Sequence, residues 1–274
     1  MLEIPESQNL SHQVDETMTG KRVTEVLPAS SPHKFMFHNG DPASYPDILK
    51  GKQILSARGH GMFIDIECEG DTWITISDGT NIRYCQSDLP KPKKYQLLII
   101  LDNGNYIPFT IAMYGGLWVY KGTLDNSYHS GSLSSTSPLN DAFTESYFNH
   151  ILDGVTKDPS VKALLATEQR FPGIGNGVLQ DILFNAGIHP RKKKSTLTGF
   201  QKDELYHSIK TTLNNMTDQG GRDTEKDLFG NFGGYKTILS KKTLNDPCPT
   251  CGGKIVKEQY MGGAVYFCPF CQVM

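Results

Sequence analysis

Two C-x2-C pairs, Cys248-Pro-Thr-Cys251 and Cys268-Pro-Phe-Cys271, stand 16 residues apart near the end of this 274-residue chain. Each pair places two sulfurs on one side of a tight turn, and GGKIVKEQY and AVYF between them supply the two strands of a hairpin. The spacing fits a four-thiolate zinc ribbon. Disulfides or a redox C-x-x-C are the alternatives, but nothing suggests secretion and no thioredoxin-like βαβ unit surrounds the pairs. With four protein sulfurs as ligands no position stays open for water, so one structural zinc ion is expected to fold the tail without catalysing anything. Cys68 and Cys85 stand alone in strand-like sequence and read as small apolar core residues.

The chain is long enough for two domains that each bury a core. Residues 1–20 read as a short lead and a helix, capped by Ser7, with Leu10, Val14 and Met18 on one face and Gly20 at its end. From Arg22 to Tyr120 the pattern changes to short runs such as GMFIDIE, TWITIS and YQLLIIL, broken by DGTN and LDNGN. That predicts an antiparallel sandwich or barrel of about eight strands. Residues 125–140, rich in Ser, Gly and Asn, have linker composition. Helical patterns follow at 141–155 and 199–218, with Leu205, Ile209, Thr212 and Leu213 making one face of the latter. Gly220 to Lys242 reads as a long glycine-rich loop near a ligand, or a mobile connection to the zinc unit.

Between these lies VKALLATEQRFPGIGNGVLQDILFNAGIHP, residues 161–190. Val161, Leu164, Leu165 and Glu168 recur at helical spacing, Pro172 and three glycines break the helix, Val178, Ile182, Leu183 and Ala186 restart it, and Gly187 closes it. A glycine turn leading into a helix N-terminus suits an anion such as a phosphate, although an ordinary helical hairpin has the same pattern.

Lys162, the PGIGN of Pro172 to Asn176 and the AGIHP of Ala186 to Pro190 resemble the helix-two-turn-helix motif of the formamidopyrimidine-DNA glycosylase and endonuclease VIII family of base-excision repair enzymes. The resemblance extends to the whole architecture: an α+β multidomain chain with an N-terminal helix plus antiparallel β-sandwich (1–127), a linker (128–140), a helix-two-turn-helix domain (141–245) and a zinc finger (246–274). It implies double-stranded DNA with damaged bases or abasic sites as the partner, with Lys162 and Asn176 holding the phosphate of the damaged nucleotide. It also implies excision by the amine of the N-terminal residue, which forms a Schiff base with the sugar while a glutamate shuttles protons.

This chain departs from the family at three positions. It opens Met1-Leu2-Glu3-Ile4-Pro5-Glu6, so Glu3 and Glu6 match the family's acidic positions but Leu2 replaces its nucleophilic proline. His60, in ARGHG, stands where the family has a lysine that contacts phosphates, and Gly263 where it has an arginine that grips the DNA backbone. The candidate catalytic residues are therefore Leu2, Glu3 and Glu6, and the candidate DNA contacts His60, Lys162, Asn176 and Gly263. Neighbouring Lys52, Arg58, Lys254 or Lys257 are the substitutes at hand. Three functions follow: a DNA glycosylase with AP-lyase activity, a protein of the same fold that holds damaged DNA without cutting it, or an RNA-binding zinc-ribbon protein, which would need aromatic stacking positions that the sequence does not mark. Retained Glu3 and Glu6 favour the first; Leu2, His60 and Gly263 favour the second.

The net charge of −2 divides unevenly: residues 1–149 hold 11 Lys and Arg against 17 Asp and Glu, and residues 150–274 hold 16 against 12. The basic half contains the hairpin, and Arg191, Lys192, Lys193 and Lys194 follow it directly, as a solvated loop or as a DNA-facing run. No run of 18 apolar residues and no signal-like N-terminus is present, so a cytoplasmic monomer, nucleoid-associated in a bacterium, with no membrane partner is expected.

Overall fold

The computed structural model describes residues 2–274. Helix α1 (Ile4–Met18) begins three residues earlier than Ser7, because Pro5 fits the first helical turn and Glu3 adopts the extended cap conformation. The Ser7 hydroxyl instead donates to the carbonyls of Ile4 and Gly61, joining the helix to the sheet. Leu10, Val14 and Met18 are buried, as their spacing predicts.

Nine strands follow before the helical half: β1 (Val23–Pro28), β2 (Met36–Phe37), β3 (Ile54–His60), β4 (Phe63–Cys68), β5 (Thr72–Ser77), β6 (Thr80–Ile82), β7 (Leu97–Leu101), β8 (Tyr106–Ile111) and β9 (Gly115–Lys121), with short helix α2 (Tyr45–Leu49) before β3. They form a four-stranded sheet, β1-β7-β8-β6, and a five-stranded sheet, β2-β9-β5-β4-β3. Every pairing in these sheets is antiparallel except the two-residue β2–β9 pair. Val23, Ile64, Ile66, Cys68, Ile74, Ile99 and Ile107 share one core with the apolar face of α1. In β1 a bulge between Val23 and Glu25 interrupts the alternation, so that Val23 and Val26 are the buried residues, whereas β4 and β5 are buried almost throughout.

The stretch of linker composition folds in part into helix α3 (Ser127–Ser134): the Asn126 side chain accepts from the amides of Tyr128 and His129, and His129 and Ser132 are buried. Helices α4 (Glu145–Asp153), α5 (Val161–Ala166), α6 (Asn176–Asn185) and α7 (Gly199–Asp218) enclose a second core of Phe143, Phe148, Leu164, Leu179, Ile182, Ile209 and Leu213. Thr144, Ser160 and Thr198 cap α4, α5 and α7 through their hydroxyls. Glu168, read as part of the first hairpin helix, lies beyond α5 with a positive φ of 57°. The C-terminal hairpin pairs β10 (Val256–Tyr260) with β11 (Gly263–Phe267), in register Val256 to Phe267 and Tyr260 to Gly263.

The two halves meet main chain to main chain at Gly61, in the β3–β4 turn, and Gly173, before α6. A Cβ on Gly173 would lie 2.6 Å from Gly61 Cα, and both glycines have positive φ. Beside this contact the Ile4 amide donates to the Gly173 carbonyl at 3.1 Å. Among the described residues no helix is long and apolar enough to cross a membrane.

Candidate functional site

Glu3 caps α1 by its backbone only, and its carboxylate is directed into the other half of the molecule. It accepts from the amides of Gly177 at 2.8 Å and Val178 at 2.7 Å, in the first turn of α6. Glycine is required beside it: a Cβ on Gly175 would strike the Glu3 carboxylate, and one on Gly177 would strike the Arg222 guanidinium. Arg222, from the loop after α7, places Nη1 3.1 Å from Glu3 Oε2 and Nη2 2.7 Å from Glu6 Oε2. Its Nε donates to Glu6 Oε1 at 2.9 Å and its own amide to the same oxygen at 3.2 Å. Burial pushes the Glu3 carboxyl above its ordinary value, helped by Glu6 and opposed by Arg222 and the two amides. Burial opposes the charge of Arg222, but Glu3 and Glu6 more than offset it and hold the guanidinium protonated.

The backbone nitrogen of Leu2 donates to Asp78 Oδ1 at 2.9 Å, and the Leu2 side chain is buried in the sandwich core. A cavity of about 210 Å³ opens here, lined by Leu2, Glu6, Asp78, Arg83, Met113 and Tyr114 among others. Two acids, a main-chain nitrogen and a concave surface therefore converge at the end of α1.

Asn176 opens α6 as the loop geometry predicts. Its Nδ2 donates to the Ala264 carbonyl of the zinc-type hairpin at 2.8 Å, while its buried Oδ1 has no partner among the described residues. Gly263 lies against the Asn176 side chain, with a Cβ position 3.4 Å from Nδ2. Lys162 is buried: its Nζ donates to the Tyr260 carbonyl at 2.6 Å and lies over the Tyr260 ring. Burial and Arg191 push its ammonium pKa down. Lys162, Asn176 and Gly263 thus surround the β10–β11 turn. His60 is turned inward, with Nε2 3.0 Å from Asp65 and Nδ1 3.0 Å from the Ser132 hydroxyl.

The basic run after the hairpin serves the fold. Arg191 donates twice to Glu258 and stacks on Tyr260 at 4.0 Å, Lys193 donates to the Asp158 carbonyl, Lys194 to those of Leu152 and Val155, and Lys192 is buried. Of the substitutes named from the sequence, Lys52 donates to the Glu69 carbonyl and Arg58 stacks on Trp73.

Cys248, Cys251, Cys268 and Cys271 bring their sulfurs within 4.8 Å of one another, with 3.7 Å between Cys248 and Cys271 and 3.5 Å between Cys251 and Cys268. Sulfurs on a tetrahedron around an ion at about 2.3 Å lie roughly 3.8 Å apart, so the donor set fits one metal ion. Arg222 and Asp78 were not among the residues singled out from the sequence. An arginine in a loop of mixed charge carries no local sign that it will be buried, and only the pairing of two buried acids, each needing a counter-charge, could have asked for it.

No family model matches the chain. Among curated proteins it is 31% identical over 196 residues to the formamidopyrimidine-DNA glycosylase of Histophilus somni, covering 70% of this chain and 71% of that one. It is 24% identical to that of Bacillus anthracis, with 99% of each chain covered. Of solved structures, the fold matches the Lactococcus lactis Fpg in complex with abasic-site DNA at a TM-score of 0.83, 21% identity and 99% and 100% coverage. It also matches the MutM (Fpg) protein of Thermus thermophilus at 0.81, 22% identity and 98% of each chain. With the relative from Histophilus somni aligned over more than two thirds of both chains and the fold matching throughout, this chain is a divergent member of the formamidopyrimidine-DNA glycosylase family.

Proposed function

We propose that this protein acts in base excision repair on double-stranded DNA carrying a damaged base or abasic site, releasing the base and cleaving the strand through its N-terminal amine and Glu3. The observation that carries the reading is the placement of Glu3, held at the N-terminus of α6 and next in the chain to Leu2, which lines the cavity. The amine nitrogen bonds to the sugar carbon as that carbon's bond to the base breaks, and the base leaves with the electron pair and takes up a proton. A carboxyl whose pKa is raised by burial suits that proton transfer. Asn176 through its side-chain amide, Lys162 through its ammonium and Gly263 through its backbone would face the phosphates. The four cysteines would hold one structural zinc ion, which folds the hairpin against α6 and supplies no reaction step.

A second reading, a protein that holds abasic or damaged DNA uncut, is favoured by Arg222, which occupies both Glu3 and Glu6. Borohydride trapping on abasic DNA, with mass analysis of the N-terminus, separates them. A covalent adduct on the terminal amine supports the enzyme. Absence of any adduct with intact DNA binding supports the binder, and an adduct that survives chemical blocking of the amine overturns the assignment of the nucleophile.

A further inference from the structure

The three donors His60 Nε2, Asp65 and His129 Nε2 lie together at the junction of β3, β4 and α3, a cluster separate from that of the four cysteines. Asp65 Oδ2 is 3.0 Å from His60 Nε2 and 3.1 Å from His129 Nε2, and Asp65 is 1% exposed. Ligand atoms bonded at about 2.1 Å and at right angles round one ion stand roughly 3.0 Å apart, so both separations suit adjacent vertices of one coordination sphere.

The surroundings hold the donors in this arrangement. The Ser132 hydroxyl meets His60 Nδ1 at 3.0 Å and fixes which nitrogen faces Asp65. Thr75 donates to Asp65 Oδ1 at 2.7 Å and holds the carboxylate plane, with His129 Nε2 2.9 Å from that oxygen and His60 Nε2 facing Oδ2. Phe63 stacks on His60 and meets His129 edge-on, so neither ring can turn freely. Arg58 Nε, 3.5 Å from Oδ2, is the competing cation, but its side chain is 58% exposed and can swing towards solvent. A cavity of about 330 Å³ lined by Gln8, Gly59, His60, Ser132 and Thr136 among others borders His60 and not Asp65 or His129, so His60 is the ligand past which an ion would enter.

We propose that His60 Nε2, His129 Nε2 and Asp65 Oδ2 bind a divalent first-row transition ion on one face, with its remaining positions open to this cavity. Two imidazoles and one carboxylate are a donor set for zinc, cobalt, manganese or iron, and not for calcium or magnesium, which take oxygen ligands.

The test uses the full chain equilibrated with Co2+ under reducing conditions, with occupancy of the four cysteines followed separately by thiolate-to-cobalt absorption. Metal analysis should give about two ions per chain in the wild type and about one in His129→Ala and Asp65→Asn, with the thiolate bands unchanged. A wild type holding only the thiolate-bound ion overturns the proposal, whatever the variants do. Two ions retained in folded His129→Ala also overturn it, as the second ion would then lie elsewhere. Should either variant fail to fold, His60→Gln, which is partly exposed to the cavity and sits at a strand end, replaces it: loss of the second ion supports the site, and retention overturns it.

Discussion

Arg222 Nη1 lies 3.1 Å from Glu3 Oε2, and both side chains are 2% exposed. The loop after α7 thus neutralises the first acid of the chain from the far end of the sequence. Removing one partner of a buried ion pair leaves the other charge uncompensated. Arg222→Ala should therefore cost about 3–5 kcal/mol in urea denaturation. Arg222→Ala combined with Glu6→Gln should recover part of that loss. Equal stability of Arg222→Ala and wild type would show that the acids are not held by this contact.

If Glu3 transfers the proton as proposed, Glu3→Gln should lower base release and adduct formation by about two to four orders of magnitude. Leu2→Pro should raise activity, because a small second residue permits removal of Met1 and restores a secondary amine. Unaltered single-turnover rates in Glu3→Gln would reassign the proton-transfer role.

Cys268→Ser should release the metal and unfold the β10–β11 hairpin while the β-rich half keeps its structure, since the hairpin's small core of Phe184, Leu239, Ile255 and the cysteines is too slight to stand alone. Metal analysis together with near-ultraviolet circular dichroism checks this. A fully folded tail without metal would contradict it.

A Cβ on Gly263 makes contacts of only 3.4–3.6 Å with Asn176, so a side chain fits there. Gly263→Arg should tighten binding to damaged DNA and steepen its salt dependence by about one unit. Asn176→Ala should weaken binding regardless of sequence context. Titrations over a range of salt concentrations check both, and a flat response in Gly263→Arg would mean that this turn does not face the DNA backbone.

Asp181 in α6 accepts from the amides of Ile238 and Leu239, yet burial pushes its carboxyl up to about 6. The folded state therefore holds a proton that the unfolded chain has lost. This contribution is fully present below about pH 4 and is lost as pH rises through 6, a change of about 3 kcal/mol by order of magnitude. Asp181→Asn should remove that slope from the stability profile. Parallel profiles for the two proteins between pH 4 and 6 would refute it.

Periodicity and punctuation made much of the fold legible. Val178, Ile182 and Leu183 are buried as their helical spacing requires, Gly187 ends α6 with a positive φ, and the two cysteine pairs converge. What escaped depends on contacts distant in sequence. Ser7 looks like a helix cap but serves Gly61, and residues 125–140 look like linker until Asn126 caps α3 and His129 finds Asp65. The lysines after the hairpin look free, yet their acceptors are main-chain carbonyls that no sequence pattern marks. At the site, Glu3, Asn176 and Gly263 were visible from the motif, whereas Arg222 was not.

The abutment of Gly61 and Gly173 bears on how the molecule could take up a thick, stiff ligand. A joint made of bare backbone has no rotamers to freeze and no interlocking side chains to disengage. The spacing of the two halves is fixed there by peptide dimensions, and the angle between them is set beside it by Glu3 on the Gly177 and Val178 amides and by Arg222 on Glu3 and Glu6. Even a single methyl group on Gly173 would act there as a shim, prising the jaws apart and straining the Glu3 and Arg222 contacts beside it before any ligand arrives.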